Sequence, residues 1–223
     1  SYIENMSLKE KIQIPNYSLG EEITNAILHG IGALLAIAAL VLCVVFSAIH
    51  HNPYAVVSSC LYGSTLIILY TMSCLYHSLK VNNAKRVFRI IDHCSIFLLI
   101  AGTYTPLTLV SLNGPIGWTL FGIIWGVSIL GIILNAIDLN KYKVISMILY
   151  IMMGWAIIFT FPRLLKVIDM AGIYLLVAGG IVYTIGAIFY GVGKKIKYMH
   201  SVFHFFVLAG SILHFFAILL YVI

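Results

Sequence analysis

Seven long apolar stretches constrain this chain more than any other feature of its sequence. A helix needs about 20 mostly apolar residues to cross a bilayer, and each stretch is of that order. A content of 62% hydrophobic and 9% charged residues excludes an ordinary soluble globule. The sequence therefore predicts an all-α integral membrane protein, a seven-transmembrane helix bundle in one domain. The predicted spans are residues 25–49, 55–77, 89–112, 116–135, 144–161, 172–190 and 199–223.

The basic residues predict the topology of these spans. Eleven of the 13 Lys and Arg residues fall in the N-terminal segment and in the second, fourth and sixth connections, and only Arg163 and Lys166 fall on the other side. Because cytoplasmic loops are rich in Lys and Arg, we expect a multi-pass protein of the cell membrane with a cytoplasmic N-terminus and an extracellular C-terminus. We interpret the net charge of +6 as topology and attraction to anionic headgroups. Membrane lipid is thus the expected partner and nucleic acid is not, while protein partners stay open.

The N-terminal segment, residues 1–18, is predicted to lie at the membrane interface ahead of the bundle formed by residues 19–223. Two serine-to-glutamate capping boxes, at positions 7–10 and 18–21, mark helix starts. We expect a short helix on the cytoplasmic surface and a second helix that begins near Leu19 and continues into the membrane.

Candidate metal ligands occur at the start of the last apolar stretch. His200 and His204 are four residues apart, so they lie one turn apart on one helix face. In the predicted topology, His77 at the end of the second span and Asp92 near the start of the third reach the same side of the membrane. Three imidazoles with an open fourth position are typical of catalytic zinc, and a carboxylate could hold or deprotonate the bound water or orient a histidine. A hydrogen-bonded cluster, a proton relay and a structural zinc remain alternatives.

Other polar residues occur near these candidates. Ser73 precedes the histidine of the second span by one turn and could donate a hydrogen bond to an oxyanion or to Asp92. His93 is about 100° around the helix from Asp92 and is expected to face elsewhere. One stripe of the first span predicts either a helix cap with acids at the positive dipole end or a polar support layer for the site. Its members are Glu22, Asn25 and His29.

The ordered set of these motifs resembles the hemolysin III family, the bacterial branch related to the progestin and adipoQ receptors (PAQR) and, more distantly, to alkaline ceramidases. The likeness runs from about Ser18 to the end of the chain. The motifs that carry it are Glu21-Glu22-Ile23 with Asn25 and His29-Gly30, Ser73 with His77, Asp92-His93 leading to Gly102-Thr-Tyr-Thr-Pro106, and His200 with His204. The resemblance implies a zinc site near the cytoplasmic side, with Asp92 and Ser73 beside the metal-bound water. The implied zinc ligands are His77, His200 and His204.

Three hypotheses for function follow. The first is a zinc-dependent hydrolase of a ceramide-like lipid amide or ester at the cytoplasmic side, in which Asp92 moves the proton. The second is a non-enzymatic hemolysin III-type membrane protein, with either a pore-forming, cytolytic activity or a receptor-like role as a sensor of lipid state. The third is a proton or ion conductor that uses buried histidines, since ionisable residues within spans often mark such pathways.

Overall fold

The computed structural model describes residues 6–223, and all of its regular structure in that range is helical. The seven predicted spans are confirmed: among the described residues, seven helices are long and apolar enough to cross a membrane. A π-helical segment, Leu107–Leu112, continues α4, and a 3₁₀ segment, Ala156–Thr160, joins α6 to α7 within the fifth span. The helices are α1 (Leu8–Lys11), α2 (Leu19–Ile49), α3 (Pro53–Ser78), α4 (Asn83–Pro106), α5 (Gly114–Ile137), α6 (Lys143–Trp155), α7 (Phe161–Val167), α8 (Met170–Val192) and α9 (Met199–Tyr221).

Local capping sets where several helices begin. The predicted capping box before α2 forms, because the backbone N–H of Ser18 donates to the Glu21 carboxylate at 2.7 Å. The box before α1 forms in the same way. Asn52 accepts from the backbone at the start of α3, and Asn82 does so at the start of α4. These side chains satisfy backbone donors that a helix start leaves unpaired.

The third span is the central helix of the bundle. In its most apolar window 72% of the residues are buried, against 11–50% in the other six spans. Helix α4 packs against α3 and α5, α2 packs against α3 and α9, and α8 packs against α9. Gly102 on α4 lies against Thr65 on α3 with no room for a side chain, so this glycine permits the close approach of the two helices. Outward-facing Ile, Leu and Val side chains cover the bundle surface, as lipid contact requires.

A tyrosine on the central helix supports the break in the fifth span. The hydroxyl of Tyr104 donates to the carbonyl of Met153 at 2.6 Å and accepts from the N–H of Ile157 at 3.0 Å. Backbone groups freed by a broken helix have no water to bind at membrane depth, so they need such a partner. On α4 itself, Pro106 immediately precedes the transition to the π-helical segment Leu107–Leu112.

The N-terminal segment packs against one end of the bundle. Helix α1 confirms the predicted short helix, although residues 1–5 of the predicted interfacial segment lie outside the described residues. The Arg89 guanidinium donates to the carbonyl of Gln13 at 2.8 Å, and the Asn140 amide donates to that of Lys11 at 3.0 Å. The depth of this N-terminal segment in the bilayer, and the side of the membrane on which each terminus lies, stay predictions.

Some of the basic residues counted for topology are buried. Lys85, Arg86 and Arg89 expose only 3–8% of their surface. The Lys85 ammonium contacts the Glu22 carboxylate and donates to the carbonyl of Leu79 at 3.0 Å. A buried cation is costly unless it has such partners. Part of the positive charge that we assigned to headgroup attraction therefore serves internal contacts.

Candidate metal centre

Three histidines from two helices meet inside the bundle. His77 comes from the last turn of α3, and His200 and His204 come from the first two turns of α9. Each ring contributes one nitrogen to a set of three that all lie within 4.8 Å of one another. Their ring centroids are 4.6–5.4 Å apart, and all three side chains are buried. Helix α9 alone supplies two nitrogens because of its i, i+4 spacing, and α3 supplies the third.

Glu22 orients the ring of His77. Its carboxylate lies 2.8 Å from Nδ1 of His77, so that nitrogen carries the proton and donates. The other nitrogen, Nε2, is buried and has no hydrogen-bond partner among the residues that the structure describes. A neutral imidazole that donates from one nitrogen to a carboxylate and keeps a free lone pair on the other suits metal coordination. The chemistry of this donor therefore fits zinc.

His204 is held by the same stripe of α2. Its Nδ1 donates to the backbone carbonyl of Asn25 at 3.4 Å, and its ring stacks on that of His29 with centroids 3.6 Å apart. Nδ1 of His29 is hydrogen-bonded to Ser73 at 2.6 Å, and the amide oxygen of Asn25 accepts from the Ser201 hydroxyl at 2.7 Å. Glu22 contacts His77, Asn25 contacts His204, and His29 contacts both His204 and Ser73. Every member of the stripe therefore contacts the cluster. These contacts favour the support layer over the capping role, which the neighbouring Glu21 fills.

Sequence reasoning missed three contacts around the cluster. Tyr17 stacks on His200 with ring centroids 5.0 Å apart, and burial raises the pKa of its phenol, so it covers the cluster as a neutral ring. Glu21 accepts the backbone N–H of Tyr198, which has a φ of 61° just before α9, at 2.7 Å. Lys85 contacts the carboxylate that orients His77. Tyr17 and Lys85 lie in polar segments without periodicity, so their sequence positions carried no signal.

Asp92 and Ser73 lie in the wall of a cavity next to the cluster. The cavity has a volume of about 200 Å³, and His29 and His204 line it as well. Asp92 is not one of the three clustered residues, and its side chain is 17% exposed. His93, which we expected to face elsewhere, lines the same cavity with its Nδ1 3.9 Å from the Asp92 carboxylate.

The cavity is long and mainly apolar. On α4 it extends from Arg89 to Tyr104, which is about 22 Å along the helix axis. Helices α6, α8 and α9 form the facing walls. A narrow apolar space of this length suits an extended acyl chain, with the polar cluster near one end. Its apolar lining includes Leu99, Ile100, Met147, Ile151, Trp155 and Val207.

The contact between Glu22 and His77 predicts a measurable effect on metal affinity. We expect Glu22→Gln to weaken zinc binding about 10–100-fold, because the amide replaces the acceptor that orients the imidazole and raises its basicity. Competition with a chromogenic chelator on the purified protein measures this change. Glu10→Gln, in the exposed capping box of α1, is the matched control and should bind zinc like the starting protein. Equal affinities in the two variants would contradict the orienting role of Glu22.

The fold and the cluster together define a class: a multi-pass membrane protein whose seven helices enclose three imidazoles suited to one divalent ion. A family model described as "Haemolysin-III related" matches residues 17–215. The chain belongs to this hemolysin III family.

Individual relatives agree with this assignment. The chain is similar to "Hemolysin-3" of Bacillus cereus, with 43% identity over 97% of this chain and 98% of the relative. It is 41% identical to "Hemolysin-3 homolog" of Bacillus subtilis (strain 168), over 92% of this chain and 96% of that protein. The human "Monocyte to macrophage differentiation factor" is 26% identical over 83% of this chain and 79% of its own length. This distant likeness supports the family's place in the PAQR superfamily.

Proposed function

We propose that this chain is a zinc-dependent membrane hydrolase that cleaves a ceramide-like lipid amide or ester at the cytoplasmic side. The observation that carries the proposal is the meeting of three buried imidazoles beside Asp92 and Ser73 at one end of a long apolar cavity. A cluster used only for packing would need neither a carboxylate beside it nor a space of this shape. The resemblance to the PAQR proteins and ceramidases supports the same reaction class.

The three histidines would hold the zinc ion. Their Nδ1 contacts support this assignment, because the carboxylate of Glu22 and the carbonyl of Asn25 fix the tautomers of His77 and His204. The ligand set leaves a fourth position for water or substrate, as in catalytic rather than structural zinc sites. Zinc held in this way supplies Lewis acidity, which polarises a carbonyl and activates water.

Asp92 and Ser73 would carry the remaining chemistry. The Asp92 carboxylate takes a proton from the attacking water and returns it to the leaving nitrogen or oxygen. The Ser73 hydroxyl donates a hydrogen bond to the carbonyl oxygen as it gains negative charge, and its bond to His29 fixes its orientation. The apolar cavity holds the acyl chain and brings its carbonyl to these side chains.

The Bacillus relatives supply a second candidate. Both have names that refer to haemolysis, and a similarity of 41–43% identity extends a lytic activity to this chain as an alternative proposal. In this candidate the protein permeates the membrane without turnover of lipid.

Chelator-sensitive release of fatty acid tests the hydrolase proposal. The purified protein in neutral detergent is incubated with a panel of ceramides and acyl phospholipids, and free fatty acid is quantified by mass spectrometry. We expect release that stops on chelation and returns when zinc is added. Fatty-acid release that is unchanged by the chelator would contradict the hydrolase proposal. So would the absence of release from every lipid of the panel by zinc-loaded protein. Dye leakage from liposomes without fatty-acid release would favour the lytic candidate.

A further inference from the structure

Three basic side chains converge at the end of the cavity near the cluster. Arg89 on α4 and Lys143 on α6 both line the cavity. Lys194, two residues after α8, lies beside Lys143. Lys143 and Lys194 are exposed whereas Arg89 is buried, so the cavity reaches the surface of the bundle at this point. These three residues, from three different elements, are called the cationic mouth below.

The cationic mouth has no carboxylate partner in the described part of the chain. Among residues 6–223, the ion pairs within 4.0 Å involve only Glu22 and Asp92, and neither pairs with the three cations of the mouth. Asp138, the acid nearest to Lys143 in sequence, accepts the backbone N–H of Lys141. Like charges brought together without an anion repel one another, and burial on one side strengthens that repulsion.

Two further observations indicate that an anion belongs at the cationic mouth. Arg89 uses its Nη1 on the carbonyl of Gln13, but its Nε is buried and unpaired among the described residues. Lys194 lies outside the spans, and burial together with the neighbouring Lys143 lowers its pKa to about 8. Both features are those of an electropositive site in which a bound oxyanion would relieve repulsion and accept the free donors.

We propose that Arg89, Lys143 and Lys194 bind the phosphate or carboxylate of a membrane lipid whose acyl chain occupies the cavity. The inference rests on the proposed function and deepens it, because it restricts the lipid amide or ester to one with an acidic headgroup, so that a neutral ceramide is not the preferred substrate. Arg89 precedes Asp92 by three residues, about 4.5 Å along the helix axis. When the acid group of a lipid binds at the mouth, an amide or ester bond a few atoms further along that lipid therefore lies beside Asp92. A neutral headgroup would leave Lys143 and Lys194 without a carboxylate or phosphate within ion-pair distance among the described residues.

Quenching of Trp155 by lipids with brominated chains tests this proposal. Trp155 lines the cavity, and Trp118→Phe with Trp125→Phe leaves it as the single tryptophan. The chelated protein in neutral detergent is titrated with brominated phosphatidic acid, with a neutral ceramide that carries brominated chains, and with inorganic phosphate as a competitor. We expect phosphatidic acid to bind at least about tenfold more tightly than ceramide.

Two double variants decide whether the cationic mouth causes this preference. Lys143→Gln/Lys194→Gln should lose it, whereas the control Lys141→Gln/Lys195→Gln, in the same connections, should keep it. All four lysines are exposed or outside the helix interiors, so thermal unfolding should be similar in both variants. No preference in the starting protein, or equal loss in the two variants, would overturn the proposal. Tight binding of inorganic phosphate without any quenching by the lipid would overturn the assignment to a lipid.

This assay is independent of hydrolysis. Binding is measured with the metal removed. A hydrolase with no headgroup preference would therefore bind phosphatidic acid and ceramide equally in this assay and still release fatty acid in the other. A protein that binds anionic lipid without turnover would give the opposite result. The two failures are therefore distinguishable.

Discussion

Purified protein is expected to carry about one zinc ion per chain, and His200→Ala/His204→Ala is expected to carry almost none. The double variant removes two of the three clustered imidazoles, and His77 alone cannot bind zinc tightly. Elemental analysis by plasma mass spectrometry after gel filtration measures the ratio. A ligand at a thousandfold excess over its dissociation constant stabilises a fold by about 4 kcal/mol. Chelation should therefore lower the unfolding temperature of the starting protein and not that of the double variant.

His50→Ala/His51→Asn is the matched control for this measurement. Both histidines lie in the exposed turn between α2 and α3, and asparagine suits the φ of 54° at position 51. This variant should retain its zinc. If the starting protein contains no metal, or if the two double variants contain equal amounts, the three imidazoles form a hydrogen-bonded cluster instead of a metal site.

Asp92→Asn is expected to slow fatty-acid release by about 10²–10⁴-fold and to leave the zinc content unchanged. The amide has nearly the shape of the carboxylate but cannot accept a proton, and positioned general bases contribute about that factor. Asp92 lies outside the three-histidine cluster, so the variant separates chemistry from metal binding. Initial rates with the best lipid of the panel, together with zinc analysis of the same sample, give both quantities.

Asp138→Asn provides the control for that substitution, because Asp138 lies in the connection between α5 and α6 and does not line the cavity. It should hydrolyse lipid at the rate of the starting protein. An Asp92→Asn variant that keeps its full rate would remove the aspartate from the mechanism. A variant that loses its zinc together with its activity would assign Asp92 to the metal instead.

Local patterns in the sequence were sufficient to predict the architecture of the helix bundle. Each span is a continuous apolar run, and the starts of the first two helices follow from capping boxes that form as predicted. The grouping of His77 with His200 and His204 also followed from local information, namely helical spacing and the side of the membrane each helix end reaches. Such features depend on residues within one helix, so a single sequence can reveal them.

Contacts between distant elements were not predictable in this way. Tyr17 reaches His200, and Lys85 contacts Glu22 63 residues away, without any spacing rule that links these positions. Lys85 and Arg89 were interpreted as topology signals, because a count of charges cannot distinguish a buried cation from an exposed one. The cavity was also missed, since its lining comes from seven helices, α2 to α6 with α8 and α9, and no pattern within one helix encodes how they pack.

The bond between Glu21 and the backbone of Tyr198 joins positions 177 residues apart in the chain. Helix α9 is translated after every other helix of the bundle, yet it brings two of the three clustered imidazoles. During synthesis, the earlier helices can enter the bilayer before His200 and His204 have been translated, so His77 is at first without them. Under the proposed zinc assignment, the three ligands come together only once α9 has followed the earlier helices into the bilayer, so metal insertion would come late in the assembly of the bundle.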